Sequence, residues 1–425
     1  MVAQLVVHRW LIAPVRRLPV ELLSKIFLHL LDMLVEQPPN DVDISVALEY
    51  TIVNVCEAWR FAAYGTPHLW THIECPPSKV LEPYFQHFLP LSGELPLSLY
   101  SCRRADMLAP FLEHMRPYAH RWGTLSLYGS PDDLTGLDPI RAPQLLSIEI
   151  NFKSSYASNP YEPLNFIGDA PRLQRLLMNL PNVYQLISIP VAASLTWLEL
   201  SFGAFHVYYV LPILEQSARM LQHFGFSVSC DLPEQRTHFT RSVGLPALTS
   251  LSLQGKTASL LTFISAPFLS EISVDGPPAV MPGCLLEFLQ QTPLTGENLR
   301  ALRLTGKKLA PKDEDVENLT QCFACMSDLK ELSLSTPPPA PLVQALVCRD
   351  DAYPLLPNLR NALFECIAPT RRMHMEFLRS RDESRTILGT HVAALESFRL
   401  DTTGQSAYCS SKSISDDRYR GGAGE

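Results

Sequence analysis

The chain has 425 residues, of which 46% are hydrophobic and 18% are charged, and its formal net charge is -8. This balance is typical of a globular protein with enough apolar material for a large core. Lysine and arginine form no long run, so the sequence gives no support to nucleic-acid binding or to attraction by an anionic membrane. No stretch of about 18 consecutive apolar residues predicts a membrane span.

The first residues and the cysteines bear on the cellular compartment. Residues 1–17 form a short lead-in, whose apolar stretch at residues 2–7 follows no basic segment, so we expect no signal peptide. The 10 cysteines are spread from Cys56 to Cys409 without a dense framework, which favours free thiols in a reducing compartment. We therefore expect a cytoplasmic or nuclear protein.

The first predicted helix covers residues 18–34. Pro19 suits the first helical turn, and Glu21 lies near the positive end of the helix dipole. Leucine, isoleucine and phenylalanine occupy about half of the helix circumference, which is wider than the roughly 100° stripe of a helix that packs on one side. The pattern predicts a helix that is buried on two sides, or one whose second side needs a partner.

A second predicted helix runs from about residue 44 to residue 63 and carries Val55, Cys56 and Trp59. The segment Pro67-His68-Leu69-Trp70 ends this module, and Ile73 begins the first strand. Residues 18–73 form a small unit, in which a core is marginal by itself. Large apolar groups left over at that size indicate an interface.

An L-x-x-L-x-L pattern recurs between residues 90 and 400, with successive copies about 21 to 36 residues apart. Each copy predicts one short strand that turns its fourth and sixth residues inward. Proline precedes several copies, as expected just ahead of a strand. The copies are Trp122-Leu125-Leu127, Leu145-Ile148-Ile150, Leu173-Leu176-Met178, Leu195-Leu198-Leu200, Leu221-Phe224-Phe226, Leu248-Leu251-Leu253, Leu269-Ile272-Val274, Leu299-Leu302-Leu304, Leu329-Leu332-Leu334 and Leu395-Phe398-Leu400, with an early copy at Leu97-Leu99 and a degenerate one from Leu359 to Ala362.

The repeat predicts the fold class and the main domain. Units of this length with one strand and one helical or irregular return stack as a leucine-rich-repeat-like solenoid, because no unit can bury its apolar face alone. We therefore expect an α/β protein, in which a three-helix module at residues 18–73 precedes a solenoid with a curved parallel sheet at residues 74–400. The alternative is an ordinary α/β domain with unrelated strands.

The outward positions of these strands are mostly polar, as on a solvated sheet face. The functional interpretation is that this face binds a partner protein, and that an acidic row formed by Glu149, Glu199 and Glu271, with Asp275 and Glu331 close by, favours a basic one. Arg175 and Arg303 weaken that inference. The candidate substrate-facing residues are Glu149, Arg175, Trp197, Glu199, Glu271, Asp275, Arg303 and Glu331.

Catalytic and metal-binding patterns are missing from the sequence. Cys322 and Cys325 form the one tight cysteine pair, but no second pair completes a zinc site, so we expect core cysteines, no metal and no cofactor. Phosphate-binding glycine loops and the hydrolase elbow have no sequence support, and we do not expect an enzyme. Residues 401–425 are rich in serine, glycine and aspartate and are expected to form a disordered tail.

The N-terminal module resembles an F-box. The resemblance lies in Leu18-Pro19-Val20-Glu21-Leu22-Leu23-Ser24-Lys25-Ile26-Phe27, in Val55-Cys56-Glu57-Ala58-Trp59-Arg60 and in Thr66-Pro67-His68-Leu69-Trp70. Residues 34–46 form a longer link than usual, and Glu57 and Ala58 replace a basic pair. The downstream repeats resemble the leucine-rich-repeat-like domains joined to F-boxes, especially in the expanded fungal branch.

The resemblance implies a role as the substrate-recognition adaptor of a Skp–cullin–F-box type ubiquitin ligase. The F-box would bind the Skp-type adaptor and through it the cullin–RING ligase, and the repeats would bind an unknown target protein. A protein-binding scaffold that does not serve a ligase is the alternative. The adaptor-binding residues implied by position are Leu18, Pro19, Leu22, Ile26, Phe27, Val55, Trp59 and Trp70. The alternative for Trp59 and Trp70 is that their indoles fill the junction between the module and the repeats, and for Trp70 this alternative has equal weight.

Overall fold

The structure is a computed structural model of the chain, and its described part has a mixed α/β fold. By their contacts, the residues divide into two compact units, 1–192 and 193–425, so the N-terminal helices share a unit with the first strands. The described residues are 18–36, 44–75, 81–101, 107–134, 137–152, 166–180, 194–204, 207–230, 242–276, 280–306, 312–335, 337–366, 371–402 and 405–409. The lead-in at residues 1–17 lies outside them.

The α-helices fall into three helices at the N-terminus and a series that connects the strands. Short 3-10 turns, such as Pro67–Trp70, complete the connections. The α-helices of the described residues are α1 (Val20–Glu36), α2 (Ile44–Leu48), α3 (Glu57–Tyr64), α4 (Leu81–Phe88), α5 (Leu108–Met115), α6 (Leu211–Ser217), α7 (Met281–Gln291), α8 (Pro293–Asn298), α9 (Asp313–Ala324), α10 (Ala340–Leu346) and α11 (Arg371–Ser380).

The first unit contains a run of parallel strands in the order β1-β2-β3-β5-β7, and a small parallel pair of β4 and β6. Strands that follow one another in the chain are joined by crossovers, as a parallel sheet requires. The strands are β1 (His72–Glu74), β2 (Leu97–Tyr100), β3 (Trp122–Gly129), β4 (Ile140–Arg141), β5 (Ser147–Phe152), β6 (Ile167–Asp169) and β7 (Arg175–Leu180).

The second unit contains a longer parallel run in the order β8-β9-β11-β13-β14-β15-β16-β19, to which β20 adds antiparallel. Two small pairs, β10 with β12 and β17 with β18, lie outside this run. The strands are β8 (Trp197–Ala204), β9 (His223–Cys230), β10 (Val243–Gly244), β11 (Ser250–Gly255), β12 (Ile264–Ser265), β13 (Glu271–Asp275), β14 (Ala301–Thr305), β15 (Glu331–Leu334), β16 (Asn361–Cys366), β17 (Arg385–Ile387), β18 (Thr390–Val392), β19 (Ser397–Thr402) and β20 (Gln405–Cys409).

The repeated sequence pattern builds these strands as expected. In β14, for example, Leu302 and Leu304 are fully buried, whereas Arg303 between them is exposed. The same alternation recurs in its neighbours because the side-chain period of a strand is two residues. The strand predictions for the L-x-x-L-x-L copies are confirmed, including the early copy at Leu97 and the degenerate copy that begins at Leu359.

A glycine closes one of these strands by a close backbone approach. Gly255, the last residue of β11, has φ 71°, and a Cβ atom there would lie 2.0 Å from the carbonyl oxygen of Val228. An L-residue would meet both backbone strain and a steric clash at this position. The end of β11 therefore requires glycine, whereas Gly244 in β10 has open space around the position of a Cβ atom.

The N-terminal helices differ from the sequence prediction in one place. A single helix was expected over residues 44–63, but α2 continues as a wider turn at Glu49–Val53 and then ends. Cys56 is extended, with φ -165° and ψ 169°, and precedes α3. The break lets Ile52 and Val53 enter the core before the chain turns, a tertiary effect that the helical periodicity did not show.

The expectation of disorder from residue 401 onward is wrong for Gln405–Cys409. These residues form β20, which pairs antiparallel with β19 from Phe398 to Thr402. An edge strand has unpaired backbone N–H and C=O groups, with which even a polar segment can form hydrogen bonds. The amino-acid composition of the tail does not reveal these hydrogen bonds. Residues 410–425 lie outside the described residues.

Candidate functional site

Helix α1 divides its apolar side chains between the core and the surface. Leu23 and Phe27 are 3% and 1% exposed, whereas Leu22 and Ile26 are 45% and 49% exposed. Met33, three turns along the same side of the helix as Leu22, is 55% exposed. Leu22, Ile26 and Met33 are called the apolar strip below.

Local chemistry explains why the helix starts where it does. The carbonyl of Pro19 accepts hydrogen bonds from the backbone amides of Leu22 and Leu23, both at 3.1 Å. A backbone N–H in the first helical turn has no acceptor within the helix, so proline, which has no N–H, is well suited to the start. Glu21 places a negative charge in the first turn. These features fix where the helix begins, and the packing of the module then decides which of its sides faces the core.

Further apolar surface lies on the segment that includes α3. Val55 is 45% exposed, and Phe61, one turn beyond Glu57 on α3, is 74% exposed. Tyr50, in the turn after α2, is 73% exposed. Met33, Tyr50 and Phe61 were not among the sequence candidates, although Met33 could have been found from its helical spacing to Leu22.

The sequence-predicted adaptor-binding residues fall into two groups. Pro19, Leu22, Ile26 and Val55 are exposed, and Leu18 and Trp59 are partly exposed. Phe27 and Trp70 are each 1% exposed, so their assignment to the partner-facing surface is wrong for this structure. The sequence shows that both residues are apolar. It does not show which of the apolar residues the module uses for its own core.

Contacts explain the burial of Phe27 and Trp70. The ring of Phe27 packs against Trp59 at 5.1 Å between centroids. Trp70 donates a hydrogen bond from Nε1 to the carbonyl oxygen of Ala63 at 2.9 Å and stacks on Phe88 at 5.7 Å. These contacts place Trp70 between α3 and the segment at Phe88, as in the alternative interpretation of this residue.

A small hydrogen-bond network surrounds Glu149 on the outward face of the first unit. Asn151 donates to Oε1 of Glu149 at 2.7 Å, and the hydroxyl groups of Ser126 and Tyr128 lie 3.5 Å from its two oxygens. Burial, together with the charge of Glu149, raises the pKa of Tyr100. Arg175, on β7 of the same unit, is exposed.

Another cluster occupies the outward face at the start of the second unit. Trp197 and His223, which are register partners on β8 and β9, stack at 3.7 Å with an interplanar angle of 19°. The indole Nε1 of Trp197 donates to Oε1 of Glu199 at 2.7 Å, and Nε2 of His223 lies 3.4 Å from the same oxygen. Glu199 therefore has a fixed orientation beside an aromatic pair.

The expected acidic row does not form. In the register of the second unit, Glu199 shares its row with Gly225, Ser252, Ser273 and Arg303. Glu271 and Glu331 belong to a second row, together with Ala301, and Asp275 belongs to a third with Thr305. Sequence position within each copy places these carboxylates in three rows, so the carboxylates share one face of the sheet without forming one line.

A shallow cleft of about 470 Å³ lies on the outward face of β14, β15, β16 and β19. Arg303 and Arg399 lie in one row on either side of Leu363, so the cleft has cationic ends. The polar residues that line the cleft are arginine, glutamate, asparagine and serine. The lining residues include Arg303, Glu331, Ser333, Asn361, Leu363, Ser397 and Arg399.

The cysteine pair is divided between interior and surface. Cys322 is fully buried, and burial raises the pKa of its thiol, whereas Cys325 is exposed. Cys322 is therefore a core residue, as expected, and Cys325 is not. Within the described residues, no cluster of three histidine, cysteine, aspartate or glutamate side chains could hold a metal ion, and no helix is long and apolar enough to cross a bilayer.

Comparison with known proteins assigns the chain to no family. No family model matches it, and no curated protein matches its sequence. A function must therefore be inferred from the surfaces described above.

Proposed function

We propose that this protein is a substrate-recognition adaptor of a Skp–cullin–F-box type ubiquitin ligase. In this proposal, the helices α1 to α3 form an F-box that binds a Skp-type adaptor. The strands from β1 to β19 form a leucine-rich-repeat-like solenoid that holds the target protein, and the protein acts in the cytoplasm or the nucleus.

The observation that carries the proposal is the apolar strip. Leu22, Ile26 and Met33 are each about half exposed on a helix whose adjacent apolar residues, such as Leu23 and Phe27, are already used in the core. Exposed apolar groups arranged along one helix side are typical of a helix that binds a second protein. The resemblance of residues 18–27 to an F-box opening supports a Skp-type adaptor as that protein.

The strand array supports the second half of the proposal. Its outward face carries polar and aromatic side chains in register, including Trp197 and Glu199. A broad polar face of this kind suits recognition of another protein.

The direct test is binding of the purified full chain to a purified Skp-type adaptor by calorimetry. The test variant is the double substitution Leu22→Asp and Ile26→Asp, which places charge on the apolar strip. We expect the Kd to rise by about tenfold or more, because exposed apolar anchors carry much of the energy of such interfaces. The control is Phe268→Asp, which changes a side chain that is also exposed, at 59%, in the second unit.

Equal affinity of the double variant and the wild type would contradict the proposal, as would the absence of binding by the folded wild type. Circular dichroism of each variant checks the helices independently. Reconstitution with the cullin and the RING subunit distinguishes the ligase adaptor from a scaffold that does not serve a ligase. If the chain binds the adaptor but does not join the cullin complex, the scaffold interpretation replaces the ligase interpretation.

A further inference from the structure

The outward face of the second unit changes in charge along the strand order. In the first four strands of the parallel run, β8, β9, β11 and β13, the outward positions hold three carboxylates, Glu199, Glu271 and Asp275, and no lysine or arginine. In the next four strands, Arg303 and Arg399 also face outward. The first part of this face therefore attracts cations more strongly than the second.

The acidic part of the face contains a preformed group. Trp197 and His223 are stacked, and both contact Oε1 of Glu199. The side chain of Glu199 remains 40% exposed, although one of its oxygens is fixed by the aromatic pair. A carboxylate held in this way has lost part of its rotational freedom before any ligand arrives, which lowers the entropic cost of binding.

Gly225 makes room for this arrangement. It lies in register with Glu199 on the neighbouring strand, and a Cβ atom at this position would come within 2.9 Å of Cγ of Glu199. Ser252 and Ser273 continue the same row on β11 and β13. The side chain of Glu199 lies over Gly225, and the two serines beyond it form a floor of small residues, so that β8 and β13 lie about 14 Å apart at the usual strand spacing.

Glu271 lies on β13 in the neighbouring row, which also contains Trp197 and His223, and is exposed. Glu199, Trp197 and His223 lie on β8 and β9. We call Trp197, Glu199, His223 and Glu271, with the small residues between them, the acidic aromatic patch. Its chemistry combines aromatic rings with carboxylates that have no lysine or arginine partner on these strands.

We propose that the acidic aromatic patch binds a lysine or arginine side chain from an extended segment of a partner protein. The long aliphatic part of such a side chain fits over the small floor and against the partly exposed rings, where a cation is attracted by the ring quadrupole. The cationic group forms charge-assisted hydrogen bonds with Glu199 or Glu271. The identification of this partner as a ubiquitin ligase target rests on the proposed function, but the binding chemistry does not.

The test uses the full chain and fluorescein-labelled degenerate peptide pools of equal length, which differ only in a fixed lysine, arginine, glutamine or glutamate. Fluorescence anisotropy gives the apparent Kd of each pool. We expect the lysine or arginine pool to bind about tenfold more tightly than the glutamine pool at low salt, and this preference to fall as salt is added. The glutamate pool should bind most weakly.

Two matched substitutions locate the effect. Glu199→Gln keeps the size of the side chain and removes its charge, and we expect it to abolish most of the tenfold preference. Glu331→Gln makes the same change on β15, which pairs with the strand that carries Arg303, and should leave the preference intact. Both side chains are at the surface, so both variants should fold.

A wild type without preference for basic pools would overturn the proposal, and so would a preference that Glu199→Gln leaves unchanged. Self-association that Glu199→Gln weakens, in the absence of any pool preference, would identify a second copy of this chain as the occupant instead. Adaptor binding is measured on the same samples. Retained adaptor binding without a basic preference overturns only this inference, whereas a basic preference without adaptor binding overturns only the ligase proposal.

Discussion

Helix α1 and the parallel strands both carry apolar side chains at regular spacing, but they bury them differently. In β14, Leu302 and Leu304 are inside, and Arg303 between them is outside. In α1, Phe27 is inside while Ile26, its apolar neighbour, remains about half exposed. A strand such as β14 uses its leucines for its own fold, whereas the helix has a surplus of exposed apolar side chains. Exposed apolar side chains of this kind indicate a surface that binds a partner.

The largest expected effect separates the two sides of helix α1. Phe27→Ala should lower the free energy of unfolding by about 3–5 kcal/mol, because a buried aromatic ring leaves a cavity beside Trp59. Ile26→Ala should change it by about 0.5 kcal/mol or less, since half of this side chain is already in water. Urea unfolding measures both. Equal losses of unfolding free energy in the two variants would show that Phe27 and Ile26 are buried alike, and that α1 has no surplus of exposed apolar side chains.

An intermediate effect concerns an outward strand position that is nevertheless buried. His72 on β1 is 6% exposed and stacks on Tyr100 at 3.9 Å, and its burial lowers its pKa to about 4. The unfolded chain binds a proton at this histidine near pH 6.5, whereas the folded chain does so only near pH 4. The contribution of the neutral, buried histidine to the free energy of unfolding is therefore complete above pH 6.5. It is lost as the pH falls from about 6.5 towards 4.

We therefore expect the wild type to lose about 2 kcal/mol of unfolding free energy between pH 7 and pH 5 through this histidine. His72→Phe keeps an aromatic ring against Tyr100 and removes the titration, so its stability should fall less over the same interval. Urea unfolding at the two pH values gives the difference. Parallel pH dependences of the two proteins would mean that His72 titrates alike in the folded and the unfolded chain, and therefore that its ring is not buried.

A smaller effect tests the close approach between β11 and β9. Gly255→Ala should lower the free energy of unfolding by more than about 1 kcal/mol, because the residue has a positive φ and its new Cβ would collide with the carbonyl of Val228. Gly244→Ala is the matched control, as a Cβ atom there meets open space. Thermal unfolding of the two variants measures the contrast. A larger loss for Gly244→Ala would contradict the described end of β11.

The order of strands was readable from the sequence because its cause is local. Each copy of the repeated pattern carries its own alternation, and a residue such as Leu332 is inside whatever the other copies do. The break between α2 and α3 was not readable, because it depends on where Ile52 and Val53 find space in the core. The pairing of β20 with β19 was missed for a similar reason, since the stabilising groups belong to the neighbouring strand.

The candidate surfaces were predicted in part. Leu22, Ile26 and Val55 were expected at the surface and are exposed, but Phe27 and Trp70 were expected there and are buried. An apolar residue gives the same sequence signal whether it contacts its own core or a partner. The three-dimensional packing alone distinguishes these two cases.

The sequence by itself determined the positions and period of the strands in the two parallel runs, the side of each of these strands that is apolar, and the presence of excess apolar material in the first helix. These follow from the spacing of side chains along a regular backbone. Tertiary structure alone decided which half of α1 faces the core, which carboxylates share a row, and that Trp197, His223 and Glu199 meet across two strands. These depend on strand register and on packing between distant segments, which bring together residues that no local pattern connects.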